Sequence, residues 1–201
     1  MIDRPLYLKQ LIKHRDKDII KVITGVRRCG KSVLLFDIYA NYLTENGVDT
    51  SNIIKVNLEN IENAILREPL KLYEYIKGKI VNEKKYYVMI DEIQYVNEFE
   101  DLVNSIKNMG ADVYITGSNS KLLSGDISTK LRGRSIEIKV YPLSFAEYYS
   151  FSGGDKQVAY NEYQMYGGFP YAATESDKES KIITIKVKLI KHQKLSSHMT
   201  K

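Results

Sequence analysis

A single cysteine, Cys29, is all the chain offers to thiol chemistry. A disulfide framework is thereby excluded, and the sequence fits a reducing cytosol. No apolar h-region follows the amino terminus MIDRPLYLKQ, and no run of about 18 apolar residues occurs anywhere. Neither secretion nor a membrane-spanning helix is supported, so a cytoplasmic location without membrane partners is expected. The three histidines, His14, His192 and His198, stand away from cysteines and acidic clusters and suggest no metal site. Surplus charge is also confined. Residues 176–201 hold seven lysines against Asp177 and Glu179 and carry the whole formal +5, which leaves residues 1–175 balanced. The body of the protein is not globally basic, so net charge alone is no argument for nucleic acid. Its 16 tyrosines accompany many Ile, Lys and Asn residues and read as compositional bias rather than a tyrosine site. With 201 residues and 43% hydrophobic content, the chain can fold one α/β domain plus a small addition.

What is present is organised around residues 19–32, IIKVITGVRRCGKS. Ile19, Ile20, Val22 and Ile23 read as a buried strand that runs into a loop, and Val33, Leu34, Leu35 and Ile38 supply the apolar face of the helix after it. Gly25, Gly30, Lys31 and Ser32 satisfy G-x-x-x-x-G-K-[ST], with Val26, Arg27, Arg28 and Cys29 filling the loop. Such a loop curls its N–H groups inward around β- and γ-phosphates, and the helix adds its positive end. Lys31 contributes a mobile cation, and Ser32 contributes a hard oxygen suited to Mg²⁺.

The second stretch with chemistry is KKYYVMIDEIQYV, where an apolar run from Tyr86 to Ile90 ends in Asp91 and Glu92. A strand of this kind delivers carboxylates to the carboxyl edge of the sheet, where ligands bind in open α/β folds. Asp91 is placed to hold Mg²⁺ beside Ser32, and Glu92 to orient or deprotonate an attacking water. Between the two motifs lies room for a helix, a strand NIIKVNL at 52–58 and a helix within PLKLYEYIKGKIVNE, so the acidic strand is third in sequence. That arrangement belongs to the branch of P-loop ATPases with an added glutamate. Ile93 and Gln94 after the acidic pair break the D-x-x-G pattern of GTPases, and no basic lid of a nucleotide kinase is found.

Other segments take positions around this centre. Residues 3–18 read as a short helix with apolar points at Leu6, Leu8, Leu11 and Ile12; Arg4 and Tyr7 are candidate base contacts, the alternative being a helix pinned by its leucines. ADVYITGSNS reads as a fourth strand that ends in Thr116, Ser118 and Asn119, one of which can touch the γ-phosphate or the nucleophilic water. The same cluster can equally serve as a turn and helix cap. Within LRGRS, Arg132 and Arg134 precede a fifth strand, Ser135 to Tyr141, and are expected at the nucleotide edge as finger arginines for this or a neighbouring subunit.

Taken together, GVRRCGKS, YYVMIDEIQ, ITGSNS, LRGRSIEIKVYPLSFAEY and YGGFP resemble the prokaryotic AAA+ superfamily group described as predicted ATPases, over about residues 4–175. The resemblance implies ATP and Mg²⁺ as ligands. It assigns Lys31 and Ser32 to phosphate and metal, Asp91 to metal, Glu92 to water activation, and Ser118 or Asn119 to a sensor role. Asn57, ending the second strand, falls where related ATPases place a polar residue that restrains the glutamate. Arg132 or Arg134 falls where a finger is expected. Relatives commonly act as homo-oligomers or with nucleic-acid or protein partners, and usually carry a further uncharacterised carboxyl-terminal domain. Here the sequence departs after YGGFP into a lysine-rich stretch. That stretch reads as an unstructured remnant, a short terminal element packed on the core, or a partner-binding arm.

The expected fold is a three-layer α/β P-loop domain of AAA+ type with a five-stranded, mainly parallel sheet in order 5-1-4-3-2. Its parts are a lead-in at 1–18, the ATPase core at 19–144, a small helical region at 145–175 and a basic tail at 176–201. The expected activity is Mg²⁺-dependent hydrolysis of ATP to ADP and phosphate. The alternatives are a nucleotide-dependent DNA- or protein-binding module with negligible hydrolysis, and a P-loop phosphotransferase.

Overall fold

A computed structural model describes residues 2–117, 131, 133–175 and 177. These divide into two compact units: Arg4–Tyr141, and a second formed by the stretch from Pro142 together with Ile2 and Asp3.

The first unit is built on five strands, β1 (Ile20–Thr24), β2 (Ile53–Asn57), β3 (Tyr87–Asp91), β4 (Asp112–Gly117) and β5 (Ser135–Lys139). They pair in the order β2-β3-β4-β1-β5, and all four pairings are parallel. Read from the other side, this is the expected 5-1-4-3-2 order. Burial follows position. The inner strands β1, β3 and β4 are buried at every residue, whereas the outermost β2 and β5 expose Lys55, Glu137 and Lys139. Strands covered on both faces need apolar residues throughout, and edge strands do not.

Alternation sorts the two faces. Ile20, Val22, Ile54, Val56, Val88, Ile90, Val113 and Ile115 pack with Leu72 and Ile76 of α4 (Pro69–Lys79) and Leu102, Val103 and Ile106 of α5 (Phe99–Asn108). Ile23, Met89, Tyr87 and Tyr114 face the other way, onto Tyr7 and Leu11 of α1 (Pro5–His14) and onto the helix that follows the loop. Within α1, Leu6 is 61% exposed, so Tyr7 and Leu11 pin this helix rather than its full set of leucines. The helix after the loop is not uniform. It begins as α2 (Lys31–Val33), widens into a π turn at Leu34–Tyr39 and continues as α3 (Ala40–Glu45). Residues five apart share a face in a π turn, and Leu34 and Tyr39 are both fully buried.

At the amino edge of the sheet lies a polar network that the apolar pattern conceals. Lys21 Nζ donates to Asp112 Oδ1, with both side chains buried, and also to the carbonyl of Lys17 at 3.0 Å. Asp112 Oδ2 accepts the Asp16 amide at 2.8 Å and the Tyr114 hydroxyl at 2.8 Å, and Tyr114 meets the Tyr39 hydroxyl at 2.6 Å. Burial lowers the affinity of Lys21 for its proton, against the opposing pull of Asp112. Burial likewise drives the Tyr39 and Tyr114 phenols far above their usual range.

The second unit explains two sequence signatures. Ser144 and Glu147 form a reciprocal capping box at the start of α6 (Phe145–Ser152), which accounts for the Ser and Glu of PLSFAEY. Asp155 caps α7 (Lys156–Tyr166), and Pro170 opens α8 (Pro170–Thr174). Between those helices the amide of Leu143 donates to the carbonyl of Gly168 at 2.6 Å, and a Cβ on Gly168 would lie 2.1 Å from the Leu143 oxygen. Only glycine allows that approach.

Candidate functional site

The end of β1, the loop after it and the end of β3 lie at the carboxyl edge of one parallel sheet, because β4 joins β1 to β3 in register. Gly25 leaves β1 with φ +152°, and a Cβ there would meet the Val140 carbonyl oxygen at 2.2 Å. The loop is thus seated on the backbone that follows β5. Gly30, at φ +97°, turns the chain into α2. Arg28 adopts φ +67° without glycine's freedom and, like Arg27, is exposed; Arg27 pairs with Glu59 at 2.5 Å. Cys29 is fully buried against Val140, and burial pushes its thiol up. Val26 is half-buried and Val33 is 43% exposed.

Lys31 folds back into the loop. Its Nζ donates to the carbonyls of Gly25 at 3.2 Å and Val26 at 3.3 Å, and only 3% of the residue is exposed. One residue on, Ser32 Oγ donates to Asp91 Oδ2 at 2.8 Å, joining the loop to the acidic strand across 59 positions of sequence. Thr116 Oγ1 donates to the other oxygen, Asp91 Oδ1, and accepts the Glu92 amide at 3.1 Å. Burial raises the Asp91 carboxyl, hydrogen bonds from Thr116 and Ser32 oppose that rise, and the Glu92 charge adds to it. These oxygens fit a hard divalent cation.

Glu92 is 9% exposed and sits in the left-handed region at φ +56°, ψ +51°, an uncommon conformation for this residue type. The turn it makes diverts the chain from strand to a 3₁₀ turn at Ile93–Tyr95. Gln94, two residues further, donates from Nε2 to Glu92 Oε2. In the sequence Gln94 only breaks a GTPase pattern; the signal of its contact is an amide two positions after the glutamate.

Other candidates fall elsewhere. Asn57 stands beside Asp91 in the β2–β3 register, but its Oδ1 accepts the Glu59 amide at 2.9 Å, shaping the turn after β2. Arg4 is buried, with Nη1 donating to the Cys29 carbonyl at 3.0 Å and Nη2 to that of Tyr141 at 2.6 Å, while its guanidinium lies 4.6 Å from the Tyr7 ring centre. Tyr7 in turn accepts the Tyr141 amide at 3.0 Å. Arg4 thus braces the loop and Tyr7 the segment after β5, roles not legible in the sequence. Arg134 requires a correction. It immediately precedes β5, and its carbonyl accepts the Ile20 amide at 2.8 Å, which places it at the amino edge of the sheet rather than the nucleotide edge. About five residues of strand, roughly 16 Å, separate it from Gly25. Ser118, Asn119, Arg132 and the 178–201 stretch lie outside the described residues. A cleft of about 620 Å³ beside β2, lined by residues including Asn41, Lys55, Tyr75 and Lys79, contains none of the loop or acidic residues.

Comparison with known proteins agrees with the fold. A family model described as an AAA domain matches residues 17–149. An uncharacterized protein of Haemophilus influenzae is 44% identical over 177 residues, covering 85% of this chain and 44% of the relative. An uncharacterized protein of Methanocaldococcus jannaschii is 35% identical over 174 residues, covering 81% of this chain and 38% of its own length. The chain therefore spans less than half of either relative. Among solved structures, AMPPCP-bound DnaA from Aquifex aeolicus superposes with a TM-score of 0.57 at 16% identity, covering 90% of this chain and 59% of that one. At that identity the likeness concerns the fold.

Proposed function

Because the chain belongs to the AAA domain family, a family of nucleotide-binding ATPase-type modules, we propose that it hydrolyses ATP to ADP and phosphate with Mg²⁺. The observation that carries this reading is the 2.8 Å contact between Ser32 and Asp91, with Glu92 one residue further along the same edge. In this mechanism the loop amides and Lys31 hold the β- and γ-phosphates, and Lys31 exchanges its bonds to Gly25 and Val26 for phosphate oxygens. Ser32 and Asp91 would hold Mg²⁺, directly or through its waters, and the ion would supply charge neutralisation at the phosphates. Glu92 takes a proton from water as the water oxygen bonds to the γ-phosphorus and the bond to the β–γ bridging oxygen breaks. Arg134, remote from its own loop, is assigned in this reading to another copy's nucleotide, so turnover is expected to rise on self-association. Nucleic acid or protein is the proposed downstream partner.

The test is phosphate release by the wild type, Lys31→Ala and Glu92→Gln, with ATP binding measured in parallel. Lys31→Ala loses binding, whereas Glu92→Gln binds and stalls. Equal turnover by the wild type and Glu92→Gln would remove the role given to that carboxylate. A second reading is a nucleotide-dependent DNA- or protein-binding module with negligible hydrolysis. Tight ATP binding with no phosphate release from any catalytic-site variant or the wild type is its signature.

A further inference from the structure

We propose that Gln94 is a positioning residue for hydrolysis, acting through Glu92; this rests on the ATPase reading above. Gln94 Nε2 donates to Glu92 Oε2 from within the 3₁₀ turn that Glu92 itself begins. The orientation of that amide is fixed by chemistry. An ionised carboxylate only accepts, so the nitrogen must face it; the reversed amide would set two acceptors against each other. The cost of this orientation is visible on the other side, where Gln94 Oε1 is buried without a hydrogen-bond partner among the described residues. Leaving a buried carbonyl unpaired is unfavourable, so a side chain free to satisfy itself would turn away. The contact to the Glu92 carboxylate offsets that cost, since hydrogen bonds to an ionised group are roughly twice as strong as neutral ones.

Glu92 is held by its neighbours at both ends. Thr116 takes its amide at 3.1 Å, which fixes the left-handed backbone, and Gln94 takes its carboxylate. A base must keep a narrow set of orientations towards the attacking water, and a long, flexible carboxylate loses rate when it wanders. The amide of Gln94 stops that wandering while leaving phosphate and metal contacts to other residues. Removing it therefore slows the chemical step without weakening ATP binding.

The experiment measures single-turnover phosphate release and ATP affinity for Gln94→Ala, for the near-isosteric Gln94→Glu, for Glu92→Gln and for Glu92→Gln/Gln94→Ala. Gln94→Ala is expected to slow turnover about 10- to 100-fold, the loss of one charge-assisted hydrogen bond, with ATP affinity within about twofold of wild type. Gln94→Glu, which fills the same space but cannot donate when ionised, is expected to be at least as slow. In the Glu92→Gln background the Gln94→Ala change adds little, because its target is gone; a residue that only supported the fold would add its full effect again. Should Gln94→Ala fail to fold, Gln94→Glu decides. Unchanged turnover in Gln94→Glu, a loss of ATP affinity that accounts for the slowing, or full additivity in the double variant would overturn the proposal. Full turnover by Glu92→Gln would instead overturn the ATPase assignment of that carboxylate.

Discussion

Ser32 and Asp91, 59 positions apart, share one hydrogen bond of 2.8 Å, and this contact unites the loop and the acidic strand in a single site. If it marks the metal site, the two residues should fail in a metal-dependent way. Ser32→Ala is expected to raise the Mg²⁺ concentration for half-maximal phosphate release about tenfold or more, and Asp91→Asn to remove most of the turnover. Nucleotide binding without Mg²⁺ should change much less. A Mg²⁺ titration of each variant, with ATP binding in EDTA as the reference, checks this.

Arg4 reaches both walls of the loop's seat, the Cys29 and Tyr141 carbonyls. Arg4→Ala is expected to weaken ATP binding about tenfold, since two hydrogen bonds from a buried cation are lost. Arg4→Lys recovers little, because a single ammonium cannot span the pair as a planar fork does. Calorimetric ATP affinity distinguishes this bracing role from a base contact: a brace weakens GTP and ATP binding alike, whereas a base contact discriminates between them.

Arg134 lies at the amino edge of β5, out of reach of its own loop. Arg134→Ala should therefore leave ATP affinity intact and cut turnover, with activity restored in mixtures with Glu92→Gln, where each copy supplies what the other lacks. Mixing the two inactive variants and following phosphate release is the measurement. No recovery at any ratio would dismiss a role between copies.

Alkaline titration should divide the 16 tyrosines into groups. Tyr87, buried and donating to Asp16 at 2.8 Å, is pushed up to about 12, and Tyr39 and Tyr114 are raised further. A phenol whose folded pKa is raised favours the native state fully below its unfolded value near 10, and that contribution disappears as pH rises towards the folded value. Stability should thus fall from about pH 10 upward, and part of the phenolate absorbance should appear only with unfolding. Tyr114→Phe is expected to lower the thermal midpoint at neutral pH, since Asp112 loses a donor.

The fold and the two motifs of the candidate site are legible because their signals are local. Gly25, Gly30, Lys31 and Ser32 specify a loop by spacing, and an apolar strand that ends in Asp91 and Glu92 specifies an edge. The remainder depends on who meets whom in space. Arg4 reads as a base contact or a surface residue until the Cys29 carbonyl is found against its guanidinium. Lys21 sits within a run that reads as apolar and is matched by Asp112, 91 positions away. Arg134 was misplaced because a residue before a parallel strand belongs to the opposite edge from one after it, and the direction of β5 decides which. The PLSFAEY and YGGFP signatures proved to carry helix caps and a close backbone approach within the second unit.

The Lys21–Asp112 pair also bears on how the chain finds its topology. Hydrophobic strands of similar length are nearly interchangeable, and nothing in Ile, Val and Tyr alone dictates which lies next to which. One cation and one anion hidden at the roots of β1 and β4 remove that degeneracy. Any alternative neighbour for β1 would strand an ammonium in hydrocarbon, at about 3–5 kcal/mol, and so the adjacency that brings the two motifs together is selected from the far end of the sheet.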